Sequence, residues 1–265
     1  MLAAISLVAL LLVATGGASP PQSVSVVYAG SLVTVMEGPV AQALSHRGIL
    51  FEGEGRGSRE LANLVLAGLR TPDVVIVVDP AILATLQHAG LVAQSWPLGS
   101  AALGVAWAPA SRDAALFDRA ERGRATIARV LQTLAATGSA RIARTDPRLD
   151  PKGRYTIDAL RVLLGPASER VLLGADENPA QIFPEQDLLV RLESGEVDFG
   201  FIYSTEKRND LEFVPLPGRA SMSHEIRYVI ATMKDAPHPR AARAFVDFLL
   251  HGQGRTLLLR AGLYP

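Results

Sequence analysis

Apolar β-branched runs alternate along the chain with stretches whose apolar positions recur every three or four residues. The first run, residues 24–28, predicts a strand that stops at Ala29-Gly30-Ser31, with a helix following from about Leu32 through Leu44. A second strand is expected over 49–52. It runs into the glycine-rich turn Gly53-Glu54-Gly55-Arg56-Gly57-Ser58, behind which Leu61, Leu64, Val65 and Leu69 fall at helical spacing. Residues 73–78 (DVVIVV) are continuously apolar after the aspartate, as a buried parallel strand should be, and Asp79-Pro80 opens the next helix. Further strands are expected over 101–107, 142–144, 197–203 and 227–232, and 109–138 reads as mostly helical. Two Asp-Pro pairs and a glycine mark 145–156 as an ordered loop. Ile157, Leu160, Leu163 and Leu164 carry the helix after it, closed by Gly165. Pro184 begins another helix with Glu185 and Asp187 in its first turn and Gly195 as its stop. The last amphipathic helix is 239–250, on Ala242, Phe245, Val246 and Leu249. Strands and helices in alternation make the class α/β.

The strand–Gly-Ser–helix device thus occurs twice. Ser31 and Ser58 read as N-caps. A helix start leaves backbone N–H groups unpaired, which suits an anion. Two such starts in adjacent βα units can face one crevice at the carboxyl edge of a parallel sheet. A fully oxygenated dianion offers only acceptors, so neutral donors match it without a buried counter-charge. Each charge-assisted hydrogen bond contributes roughly 1.5–3 kcal/mol. A donor-only site rejects protonated ligands, whose O–H would meet another donor.

With 265 residues, the chain is one large domain or two lobes. Lys+Arg and Asp+Glu are both 26, so there is no net basic charge to favour nucleic acid. The absence of cysteine excludes disulfides, thiolate metal sites, a cysteine nucleophile and a lipid-modified N-terminal cysteine. Residues 2–14 are almost wholly apolar yet shorter than the roughly 20 residues of a membrane span. Small residues follow, with cleavage expected after Ala18, so 1–18 reads as a signal peptide and the protein as periplasmic or otherwise extracytoplasmic. No Lys or Arg precedes Glu37, so the amino terminus alone supplies the positive end. His46, His88, His224, His238 and His251 stand in no ligand spacing and read as surface residues, as do Arg56 and Arg59. No nucleophile–base pair stands at a recognisable spacing, so no catalytic residue is assigned and no enzyme is expected.

In order along the chain, YAGSL, GEGRGSRELANLVLAG, PDVVIVVDP, RTDPRLDPKGRYTIDAL, LESGEVDFGFIYS and APHPRAARAFVDFLLHGQGRTLL resemble the solute-binding proteins of ABC importers, specifically the molybdate/tungstate-binding branch. The resemblance covers nearly the whole chain after residue 18. It implies a two-lobed periplasmic-binding-protein-like fold of type II, each lobe a mainly parallel sheet flanked by helices. Lobe 1 would be 23–104 plus 226–265, lobe 2 105–225, with hinge strands near 103–108 and 225–232. It implies a tetrahedral oxyanion between the lobes, an ABC permease and its ATPase as partners, a monomer, and no cofactor or metal beyond the oxyanion's own Mo or W.

Carried over by position, Gly30 and Ser31 of AGSL and Ser58 of GRGS would donate from the first lobe. From the second lobe, the turn Asp150 to Gly153, including Lys152, would present backbone N–H groups. The helix start at Glu185-Gln186 would add another, and Tyr203 its hydroxyl. Tungstate-type relatives carry a glutamate just before this tyrosine. Here that place is Ile202, and Asp150, matching the pattern's other carboxylate, does not complete the arrangement alone. Plain hydrogen-bonded tetrahedral binding is therefore favoured. The alternatives are another anion, such as sulfate or a small organic anion, and an enzyme on the same scaffold.

Overall fold

The computed structural model describes residues 22–265; the expected signal peptide lies outside them. The strands are β1 (Gln22–Ala29), β2 (Ile49–Arg56), β3 (Val74–Val78), β4 (Val92–Ser100), β5 (Leu103–Trp107), β6 (Ile142–Ala143), β7 (Phe199–Tyr203), β8 (Glu212–Pro215) and β9 (Arg227–Met233). They form a five-stranded sheet in the order β2-β1-β3-β9-β4 and a four-stranded sheet in the order β6-β7-β5-β8. Every residue of β3, β5 and β7 is buried, which is why these three read as unbroken apolar runs.

Neither sheet is mainly parallel. In the first, β1 pairs with β2 and β3 in parallel, but β9 runs antiparallel to both β3 and β4. In the second, only β6 and β7 are parallel. The reason is connectivity: β4 leads directly into β5 of the other sheet, and the chain later returns to the first sheet through β9, which enters it reversed.

The helices are α1 (Val33–Val35), α2 (Ala41–Ser45), α3 (Ser58–Leu66), α4 (Pro80–His88), α5 (Ala114–Glu121), α6 (Ile127–Thr137), α7 (Pro151–Leu164), α8 (Pro166–Leu173), α9 (Glu185–Glu193), α10 (Pro239–Leu250) and α11 (Gln253–Arg260). The single helix expected after β1 is broken. A 3-10 turn at Gly30–Leu32, α1, a π turn at Met36–Val40 and α2 follow one another, with Gly38 at φ −93° and ψ −105°. Pro39 lacks an N–H and its ring crowds the preceding turn, so the ladder opens there. The expected turn at 53–58 is mostly strand, since β2 runs on to Arg56 in register with Ala29. Residues 151–156, expected as loop, are the first turns of α7.

The two sheets present corresponding edges to each other. At one lie the carboxyl ends of β1, β2 and β3 and, because β9 is reversed, Tyr228 opposite Val78. At the other lie the ends of β6 and β7, with Leu103 opposite Tyr203.

Candidate functional site

Of the eight candidate residues, Gly30, Asp150, Lys152, Glu185 and Tyr203 come together where these edges meet. The seam is close: Glu60 N–H donates to Leu149 O at 3.2 Å. A methyl on Gly30 would lie 2.7 Å from Glu185 Oε2, and one on Gly57 2.8 Å from Leu149 O. Both glycines sit where one side's backbone meets the other side with no room for a Cβ.

Ser31 and Ser58 are buried, but neither is an N-cap. Ser31 lies inside the 3-10 turn, and its Oγ is 2.8 Å from the Tyr228 hydroxyl, which is 3.0 Å from Thr205 Oγ1. Ser58 is the first residue of α3, whose N-cap is Gly57. Its Oγ accepts from Val78 N–H at 3.0 Å. Both hydroxyls are thus already tied to neighbouring strands, and Ser58→Ala would strand a buried N–H as well as remove a donor.

The stretch 150–153 is a helix start rather than a turn of free donors. Asp150 caps α7, accepting from Lys152 N–H at 2.9 Å, so that N–H is already spent. Gly153 lets α7 lie directly on the 145–147 backbone, where a methyl would collide with Thr145 O and lie 2.7 Å from Pro147 N.

The expectation of a donor-only site without buried charge is corrected by Lys152. Its Nζ is fully buried, 3.0 Å from Glu185 Oε1 and 2.7 Å from Glu206 Oε1. Glu206 Oε2 accepts from Tyr203 N–H at 2.7 Å, so both Glu206 oxygens are engaged. Asp150 and Glu185 are not so complete. Among the described residues, Thr145 Oγ1, Asp150 Oδ2, Glu185 Oε2 and the Tyr203 hydroxyl are buried here without a hydrogen-bond partner. Thr145 and Glu185 lie beside the Asp150 carboxyl without completing a bond of ordinary geometry to Oδ2.

The electrostatics follow. Burial pushes Asp150 up, against the pull of Lys152. Burial and then the Asp150 charge push Glu185 well above the usual carboxylate range. For Lys152, burial disfavours the charge, but Glu185, Glu206 and Asp150 outweigh it and hold the ammonium protonated. Burial and Asp150 push the Tyr203 phenol upward, so it remains an O–H donor.

Ile202 packs with Leu188 and Leu192 in an apolar cluster; the buried carboxylates near Asp150 are Glu185 and Glu206, both on Lys152. A cavity of about 950 Å³ between Pro97, Ser223, His251 and Tyr264 contains none of the eight residues. The seam is distinguished by its unpartnered polar atoms, not by its volume.

The model of the bacterial extracellular solute-binding protein family matches residues 24–264. The chain belongs to that family. A Haloferax volcanii protein named for molybdenum binding in an ABC transporter is 31% identical over 212 residues, 76% of this chain. The chain spans only 62% of that relative's length. The periplasmic molybdate-binding protein of Azotobacter vinelandii superimposes with a TM-score of 0.70 at 17% identity, covering 92% of this chain and 99% of that one. A sulfate-binding protein of Mycobacterium tuberculosis does so at 0.65 and 16%, covering 92% and 87%. These structural likenesses establish a type II periplasmic-binding-protein fold.

Thr145, Thr205, Glu206 and Tyr228 were not singled out by sequence. Glu206 alone left a local signal, standing three residues after Tyr203, the spacing at which a carboxylate returns to a helix-start N–H. The five histidines are exposed as expected, though His238 Nδ1 also lies 3.0 Å from the buried Asp73.

Proposed function

We propose that this solute-binding protein captures a tetrahedral oxyanion, molybdate or tungstate, between two lobes and delivers it to an ABC permease and its ATPase. In this reading lobe 1 is 23–104 plus 226–265 and lobe 2 is 105–225. The protein acts outside the cytoplasm after loss of residues 1–18. The observation that carries the reading is the Tyr203 hydroxyl, a fully buried donor without a partner, whose ring lies under Lys152 and edge-on to Tyr228 at the meeting of the two sheet edges. A buried O–H left unmade costs free energy that an acceptor-rich ligand recovers. The Haloferax relative's molybdenum assignment supports the choice of ligand.

The test is Tyr203→Phe, which keeps the ring over Lys152 and deletes only the oxygen. One lost charge-assisted bond of roughly 1.5–3 kcal/mol lowers affinity about 10- to 150-fold. Thermal unfolding with and without molybdate reads this. The wild type is expected to gain melting temperature in molybdate, and the variant to gain far less at the same concentration, with a ligand-free midpoint equal to or above the wild type's. Equal gains would remove Tyr203 from the site.

A further inference from the structure

We propose that the cleft takes its oxyanion together with one proton shared by the Asp150 and Glu185 carboxyl groups. This rests on the oxyanion reading and specifies the form in which the ligand is bound.

The geometry imposes it. One lysine faces three buried carboxylates, Asp150, Glu185 and Glu206. Glu206 spends both oxygens on Lys152 and on the Tyr203 N–H, so it is the carboxylate matched to the ammonium. Asp150 and Glu185 share what remains, and each keeps one oxygen without a partner. Among the described residues, the other titratable groups around the pair supply no free cation. Tyr203, Tyr228 and Tyr155 are neutral phenols, pushed upward first by burial. Arg56, on β2, is committed to Glu54 and Glu60. A dianion placed against two ionised carboxylates would meet like charge on both, in a medium that screens poorly.

One proton halves this conflict, leaving a single negative charge on the pair. A neutral carboxyl is a donor as well as an acceptor, so a proton held between Asp150 and Glu185 gives one unpartnered acceptor a donor and takes one of the two like charges away from the anion. Burial favours that protonated form on both residues. The sign is therefore fixed. Water admitted to the cleft relieves part of that burial; closing around a dianion raises the pair's proton affinity further, so binding takes a proton up. Affinity then falls as pH rises, by up to about tenfold per pH unit for one proton. Molybdate stays a dianion across this range, so the dependence belongs to the protein.

The experiment is calorimetric titration of the protein with sodium molybdate at about pH 7, in buffers of different ionisation enthalpy, repeated at lower and higher pH. The slope of observed enthalpy against buffer enthalpy counts protons. Close to one proton taken up per molybdate is expected for the wild type. Near zero is expected for Glu185→Gln, whose amide is a permanent neutral donor and should bind more tightly than the wild type at the alkaline end. Asp150→Asn, which keeps the α7 cap, should behave likewise and serves if the first variant does not fold. Molybdate binding with no buffer dependence and a pH-independent affinity would overturn the shared proton while leaving the oxyanion reading standing. No binding of molybdate at any pH would overturn both.

Discussion

Lys152→Met is expected to lower folding stability by about 3–5 kcal/mol at neutral pH, the usual range when one member of a buried ion pair is removed. Methionine fills much of the lysine's volume, so the loss is electrostatic. Glu206 Oε1 and Glu185 Oε1 would lose their shared donor, and Asp150 its nearby cation. Denaturant unfolding measures it. The deficit should shrink as pH falls toward the ordinary carboxylate range, because protonation relieves the stranded charges. The wild type has a related dependence. Asp150 and Glu185 titrate above their unfolded values, so they contribute most to stability below the ordinary carboxylate pKa. That contribution is lost as pH rises through the raised folded values. A Lys152→Met deficit below about 1 kcal/mol would mean that the ammonium is not holding this cluster together.

Gly57→Ala is expected to weaken molybdate binding by about 5- to 150-fold, corresponding to the roughly 1–3 kcal/mol of an overpacked contact. The added methyl would stand 2.8 Å from Leu149 O and 3.2 Å from Asp150 Cβ, both across the seam. A backbone carbonyl has no rotamer to escape into. Gly57 has φ −57°, a conformation alanine adopts without strain, so the penalty falls on closure and not on the local fold. Equilibrium dialysis with molybdate reads the affinity, and the ligand-free unfolding midpoint should be unchanged. Wild-type affinity would show that the two sides need not approach this closely when the ligand is bound.

The sequence is most legible where one environment surrounds a whole element. β3 is buried on both faces and reads as an apolar run, and α10 has a core-facing stripe whose bounds the pattern predicts residue for residue. Elements at the margins leave weaker traces. β4 and β8 went unassigned because each lies at the edge of its sheet, where Pro97 is tolerated and polar residues interrupt the run. α8 and α11 were missed for a related reason, since each follows another helix closely and reads as its tail.

The placement of the candidate residues was legible more than the bonds they make. Gly30, Ser31, Ser58, Asp150 and Tyr203 all stand at strand or helix ends, and the topology gathers those ends at one seam. The hydrogen bonds of the two serines depend on partners 20 and 197 residues away. The Lys152 cluster joins residues 33 and 54 positions apart. No local spacing encodes such pairings, so the charge balance of the cleft appears only when the chain is folded.

The most direct measurement is calorimetric titration of the protein with molybdate, tungstate, sulfate and phosphate in turn. Saturable one-to-one binding of molybdate and tungstate, tighter than that of sulfate, is the result predicted for an oxyanion held between the lobes. The absence of binding heat and of any shift in unfolding temperature with all four anions would contradict it.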